Sequence, residues 1–160
     1  MDTRWKPNVT VAAIIERDGK YLLVEEQTPE GLRLNNPAGH LDPGETPVQG
    51  CAREALEETA HGFTPTGLIG IYLSRTRHPA SGEDITYLRF AFCGELGAFD
   101  ADRTLDSGIV RTVWLTPEEL RASADRHRSP LVLRCIEDHL NGQRFPLSLI
   151  HADASLFASG

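Results

Sequence analysis

Residues 37–63 read PAGHLDPGETPVQGCAREALEETAHGF, and this stretch constrains the fold more than any other. A Gly- and Pro-rich loop enters a helix whose start is unusually well marked. Thr46 serves as N-cap, Pro47 takes the first helical position, and Gln49 completes a Thr-x-x-Gln capping box. At 100° per residue, Glu54, Glu57 and Glu58 fall on one face of that helix. Val48, Ala52, Ala55 and Leu56 fall roughly opposite, as the stripe expected to face a core. Carboxylates gathered in this way repel: two of them ~6 Å apart cost about 3 kcal/mol at an effective dielectric near ~20. From Gly39 to Gly62 five acids (Asp42, Glu45, Glu54, Glu57, Glu58) are answered only by Arg53. A divalent cation would relieve that repulsion, and oxygen-only ligands favour Mg²⁺, Mn²⁺ or Ca²⁺ over zinc. A solvated acidic helix face has the same ExxEE spacing, because glutamate is a good helix former. What favours the cation is the loop, whose small residues let backbone carbonyls approach closely, with Glu45 at its exit and Arg53 beside the cluster.

The rest of the chain supplies strands on both sides of this helix. VTVAAIIE and YLLVEE flank a turn at Asp18-Gly19, which predicts a hairpin. A short strand is expected at 32–35, and three more near 67–74, in DITYLRFAFCGEL and in IVRTVWL. Thr116-Pro117 and Ser129-Pro130 each start a further helix, the last with Leu131, Val132, Cys135, Ile136 and Leu140 at helical spacing and Gly142 as its stop. Strands before, between and after helices predict an α/β domain, a mixed sheet with helices packed on it. At 160 residues one domain is expected, over 1–152, with 153–160 as a flexible tail.

The net charge of −7 argues against nucleic acid or an anionic membrane as the main partner. It leaves room for a small anionic ligand, since a bound cation inverts the local field. Cys51, Cys93 and Cys135 are few and far apart, without a CxxC, so neither a disulfide framework nor a zinc cluster is expected. No apolar run reaches membrane-spanning length, and the first ten residues carry no secretory h-region. A cytoplasmic protein follows as the default.

The segment from Gly39 to His61 resembles the Nudix box: glycine, five residues, glutamate, seven residues, then Arg-Glu-x-x-Glu-Glu, here Gly39, Glu45, Arg53, Glu54, Glu57 and Glu58. Wider similarity runs from Trp5 to Ile150, through WKPNVTV, NNPAGHL, LRF, RSPLV and GQRFPL, and is similar to the NudJ-type Nudix phosphatases. The resemblance implies a Nudix-type α/β/α sandwich and hydrolysis of nucleoside tri- and diphosphates or of the hydroxymethylpyrimidine diphosphate precursor of thiamine. It implies a substrate diphosphate bridged by Mg²⁺, with Mn²⁺ as substitute, to Glu54, Glu57, Glu58 and the Gly39 carbonyl. Glu54 or Glu57 would take the proton of the attacking water, while Glu45 and Arg53 would aim the carboxylates. Two alternatives accompany it: a pyrophosphohydrolase of ADP-ribose or another nucleoside-diphosphate conjugate, and a non-catalytic nucleotide sensor. The partner is a small di- or triphosphate, with no membrane, no stable nucleic-acid complex, and a monomer or homodimer as assembly.

Two box positions depart from the pattern. Ala60 and His61 replace the usual glycine and apolar residue, so the helix is expected to run on to a left-handed cap at Gly62. Leu34 stands where such proteins often have an aromatic, which weighs against base stacking there.

Candidate substrate contacts lie outside the box. Tyr87 and Arg89 share a strand face if Leu88, Phe90 and Phe92 point to the core, and Arg89 then either forks onto a phosphate or sits on a solvated face. Arg128 precedes a helix start, where it reaches an anion or remains a surface charge. His40 lies in the box loop. Asn35 and Asn36 precede Pro37 and either bond a base edge or shape the turn. Glu83, Asp84 and Asp106 are loop acids where some Nudix enzymes place an extra base or ligand. Substrate identity, the phosphorus attacked and the choice of general base stay open at this level.

Overall fold

A computed structural model describes residues 3–159. The first hairpin forms as its turn chemistry dictates. β1 (Asn8–Ala13) leads to β2 (Glu16–Arg17) and β3 (Lys20–Thr28), and Asp18 and Gly19 both take the positive φ that a two-residue turn needs. β4 (Gly31–Asn35) and β5 (Ala38–His40) follow, and α1 spans Pro47–Thr59. Both halves of the Thr46/Gln49 capping box are made, at 3.1 and 2.9 Å.

α1 ends earlier than the sequence pattern predicts. Ala60, not Gly62, takes the left-handed cap, with φ of 60°, and donates its N–H to the Leu56 carbonyl. β6 (His61–Arg77) begins at the next residue, and the Ala60 carbonyl accepts from Asp100 N–H at 2.7 Å, so sheet pairing holds Ala60 in a conformation costing about 1 kcal/mol. β6 also runs well beyond 67–74. Its pairing with β7 (Asp84–Phe99) shifts register around Pro65 and Gly67, which accommodates a proline on an outer strand. β8 (Ile109–Leu115), α2 (Pro117–Ala122) and α3 (Leu131–Leu140) complete the elements, with a short 3₁₀ turn at Ala154–Phe157 capped by Asp153.

Two sheets result. One has the order β5-β1-β7-β6, with β1 and β7 parallel and the other pairs antiparallel; in the other, β3 pairs with β2 and β4 on one side and β8 on the other. One core packs Val11, Ala13, Phe92, Phe63 and Leu68 against Cys51 and Ala55 of α1. A second joins Ala12, Ala91 and Ile69 to Leu23, Leu34, Leu120, Val132 and Ile136, closing the β3 sheet, α2 and α3 over the opposite face. This is the expected α/β/α arrangement around a mixed sheet. Among the described residues no helix is long and apolar enough to cross a membrane.

The buried stripe of α1 differs from the predicted one. Cys51 and Ala55 face the core, but Ala52 and Leu56 are only half-buried, while Glu54 and Glu58 are buried. The helix packs on β1, β6 and the short strand β5 together, so the side turned towards β5 is covered despite carrying acids. Leu34 is likewise buried, as a core residue rather than a platform for a base.

Candidate active site

β5 explains why position 39 is glycine. In its register Gly39 pairs with Val11, which turns its Cα towards α1. A Cβ built there would lie 2.2 Å from the Glu54 carboxyl carbon, so the carboxylate occupies the space a side chain would need. One residue earlier, the Ala38 N–H donates to Glu58 Oε1 at 3.0 Å. The box loop and the box glutamates thus meet along three residues of edge strand.

Arg53 organises the acids. Its guanidinium donates to Glu45 at 2.7 and 3.0 Å, to Glu54 Oε1 at 2.8 Å, to Glu57 Oε2 at 3.1 Å and to the His40 carbonyl at 2.9 Å. The expected Glu45–Arg53 pair is therefore part of a larger clamp that also fixes two of the three helix glutamates. Arg53 holds the Glu45 carboxyl below the usual carboxylate range, and the same bonds raise the Arg53 guanidinium itself. Burial pushes Glu54 up, opposed by Arg53. Glu58 is pushed further, to about 8, because burial outweighs the single Ala38 N–H that favours its charged form.

Ligand oxygens of Glu54, Glu58 and Asp106 all lie within 4.8 Å of one another. Asp106 is the loop acid that joins the cluster; its backbone N–H donates to the Glu57 carbonyl at 3.1 Å and pins that loop to the end of α1. Glu57 lies outside the trio, with its carboxylate on Arg53. Glu83 lines the neighbouring cleft instead, and Asp84 pairs with Arg75.

That cleft, of about 640 Å³, starts at Gly39 and Glu58 and runs over the other face of the β1 sheet. His40, Asn35, Tyr87, Arg89 and Arg128 all line it, so the structure brings together five of the six substrate candidates. The His40 and Tyr87 rings stand 6.4 Å apart, tilted by 54°. Arg128 is already paired, 2.6 Å from Glu26. Arg89 is buried rather than on a solvated face, because α3 and the β3 sheet cover that side. Asn36, the sixth candidate, is only 2% exposed and accepts from Arg89 at 2.7 Å. Glu26 carries no sequence signal; it enters the cleft because the β3–β4 pairing sets it opposite Arg33 and diagonal to Asn35, whose amide donates to it at 3.0 Å.

An all-oxygen donor set at the mouth of a mixed-polarity cleft, presented by a capped helix against a glycine strand, is the arrangement of a NUDIX domain. The NUDIX domain model matches residues 5–135, and the chain belongs to that family, as a hydrolase of phosphoanhydride bonds. Among individual proteins it is 38% identical over 146 residues to phosphatase NudJ of Escherichia coli strain K12, covering 91% of this chain and 92% of that one. A solved NUDIX hydrolase from Nitrosomonas europaea is 53% identical, with a TM-score of 0.83 over 92% of this chain and 98% of its own. The MutT protein of Methanosarcina mazei shares the fold, with a TM-score of 0.68 at 20% identity, covering 88% of this chain and 99% of that one.

Proposed function

We propose that the chain is a Mg²⁺-dependent phosphohydrolase that releases phosphate from nucleoside di- or triphosphates or from the hydroxymethylpyrimidine diphosphate precursor of thiamine. The observation that carries this reading is the convergence of Glu54, Glu58 and Asp106 oxygens beside a cleft that Glu58 and a buried arginine, Arg89, both line. The donor set fits a hard divalent cation. Every side-chain donor is a carboxylate, and the space at Gly39 that a side chain would fill is given over to Glu54. Glu54, Glu57 and Glu58, with the Gly39 carbonyl, would hold Mg²⁺ or, as substitute, Mn²⁺, and Asp106 stands beside them. When bound, the cation supplies charge neutralisation at the phosphate oxygens and lowers the pKa of a water.

The chain's own residues do the rest. Arg53 fixes one oxygen each of Glu54 and Glu57, so both carboxylates keep their aim when a substrate enters. Glu45 holds Arg53 in turn, from both of its oxygens. The proton of the attacking water passes to Glu54 or Glu57. Tyr87 and His40 wall the cleft beside the phosphate path, and Arg89 faces the substrate as a cation. Similarity to phosphatase NudJ over nearly the whole chain supports release of inorganic phosphate rather than a pair of monophosphates.

The deciding experiment follows inorganic phosphate and nucleotide products from a panel of nucleoside di- and triphosphates, the thiamine-precursor diphosphate and ADP-ribose, with Mg²⁺ and with EDTA. Metal-dependent phosphate release is expected. Monophosphate pairs from ADP-ribose alone would replace this reading with a pyrophosphohydrolase. Folded protein that turns over nothing in the panel would refute catalysis on these substrates.

A further inference from the structure

The buried charges of this protein are unevenly answered. Glu25 is ion-paired with Arg111 and Arg126, Asp138 with Arg134, and Glu54 with Arg53. Among the described residues, Arg89 is buried without an ion-pair partner, and it lines the cleft. An unpaired buried ion is unfavourable unless something else supplies the opposite charge.

Arg89 is positioned by neutral groups alone. It lies mid-strand in β7, opposite Thr10 of β1 and Tyr72 of β6, and is 7% exposed. Nη1 donates to Asn36 Oδ1 at 2.7 Å and Nη2 to Asn35 Oδ1 at 3.2 Å. The Asn35 amide cannot turn over without loss, because its Nδ2 donates to Glu26 Oε1. The nearest charge in this chain of contacts, Glu26, is itself taken by Arg128. An arginine has five N–H donors, so the two amide bonds and a 4.0 Å approach to Cys135 Sγ leave donors free. The usual way to bury an arginine is against a carboxylate; here the two residues that could have been aspartates are asparagines.

We propose that Asn35 and Asn36 are positioning residues that keep Arg89 aimed and uncompensated, so that it takes a phosphate group of the substrate. The proposal rests on the hydrolase reading above for its substrate, but not for its anion site. Asn36→Asp is close to isosteric and would present Arg89 with a carboxylate in the same place. Asn35→Asp would do the same for Arg89, but it also gives up the hydrogen bond from Nδ2 to Glu26 Oε1 and sets a carboxylate oxygen against that of Glu26. Each supplies internally the charge that the ligand would otherwise bring.

The test makes two measurements on wild type, Asn36→Asp and Asn35→Asp. The first is the change in Tm caused by inorganic pyrophosphate in EDTA, where neither metal nor turnover is involved. The second is KM and kcat with Mg²⁺ for the best nucleoside di- or triphosphate of the panel. Wild type is expected to gain Tm with pyrophosphate. Asn36→Asp should start from a higher Tm, and both aspartate variants should lose most of the pyrophosphate gain and show KM raised at least tenfold with kcat within threefold. A merely structural role would raise Tm and leave KM and the pyrophosphate response alone, which overturns the proposal, as does a wild type that pyrophosphate does not stabilise. If the aspartate variants do not fold, Arg89→Met serves in their place: loss of the pyrophosphate response supports the site, and an unchanged response refutes it. Failure of the hydrolase reading would appear separately, as a pyrophosphate response without turnover of any substrate.

Discussion

Gly39→Ala tests the geometry of the site through one methyl group. Gly39 has ordinary extended backbone in β5, so alanine brings no conformational strain. The whole effect comes from space. The new Cβ would lie 2.2 Å from the Glu54 carboxyl carbon and one of its oxygens, where ordinary contact begins at 3.4 Å. The carboxylate must therefore retreat by roughly 1 Å, which is a large fraction of a carbon–carbon contact distance. It cannot swing freely, because Arg53 holds Oε1 at 2.8 Å. A 1 Å misplacement of a reacting group costs on the order of 10²-fold in rate, so kcat should fall by about that factor. Stability should fall as well, by about 1–3 kcal/mol, as for other overpacked sites. The assay is kcat by continuous phosphate release, with urea unfolding of Gly39→Ala, Glu54→Ala and the double variant in EDTA. If Glu54 is the obstacle, the double variant recovers most of the stability that Gly39→Ala loses relative to its parent. Near-normal kcat in Gly39→Ala, or additive losses in the double variant, would refute the argument.

Three other changes probe different parts of the site and fold. Glu57→Gln keeps the shape and the Arg53 contact but removes a charge; kcat should fall at least ~10²-fold with Tm in EDTA shifted by only a few degrees, and near-normal turnover would remove Glu57 from the reaction. Arg53→Lys cannot reproduce a fork that reaches Glu45, Glu54, Glu57 and the His40 carbonyl. It should cost about 2 kcal/mol, seen as a Tm lower by about 5 °C, together with at least ~10-fold in kcat; kcat equal to wild type would end its role as the clamp. Glu25 is held below the usual carboxylate range by hydrogen bonds from Arg126 and then Arg111, against the opposing effect of burial. A depressed folded pKa gives stability that is present above the unfolded value near ~4.3 and disappears as pH falls through the folded value. Glu25→Gln should therefore be less stable than wild type at neutral pH, with the gap closing below about pH 4 in urea titrations; a pH-independent gap would contradict this.

The parts of this protein that its sequence determines alone are those where the deciding contacts lie within a few residues. Thr46, Pro47 and Gln49 start α1 because a capping box needs only its own first turn. Asp18-Gly19 closes a hairpin because positive φ at two adjacent residues is a local demand. Glu54, Glu57 and Glu58 share a face because helical spacing requires it, and the box pattern they belong to carried the family with it.

What needed the tertiary structure is set by contacts across long stretches of chain. The left-handed cap fell on Ala60 because strand pairing with Asp100 begins at once, a partner forty residues away. Glu54 and Glu58 are buried, not splayed on an open face, because β5 folds over them. Asp106 joined the carboxylates through a loop bond to Glu57, a fact that no spacing within the box contains. Arg89 was legible as one face of an alternating strand. Its burial depended on α3 and the β3 sheet closing above it, and its neutral setting on Asn35 and Asn36, more than fifty residues away in sequence. Local rules determine which residues share a face; only packing decides whether that face meets water, a neighbour or a substrate.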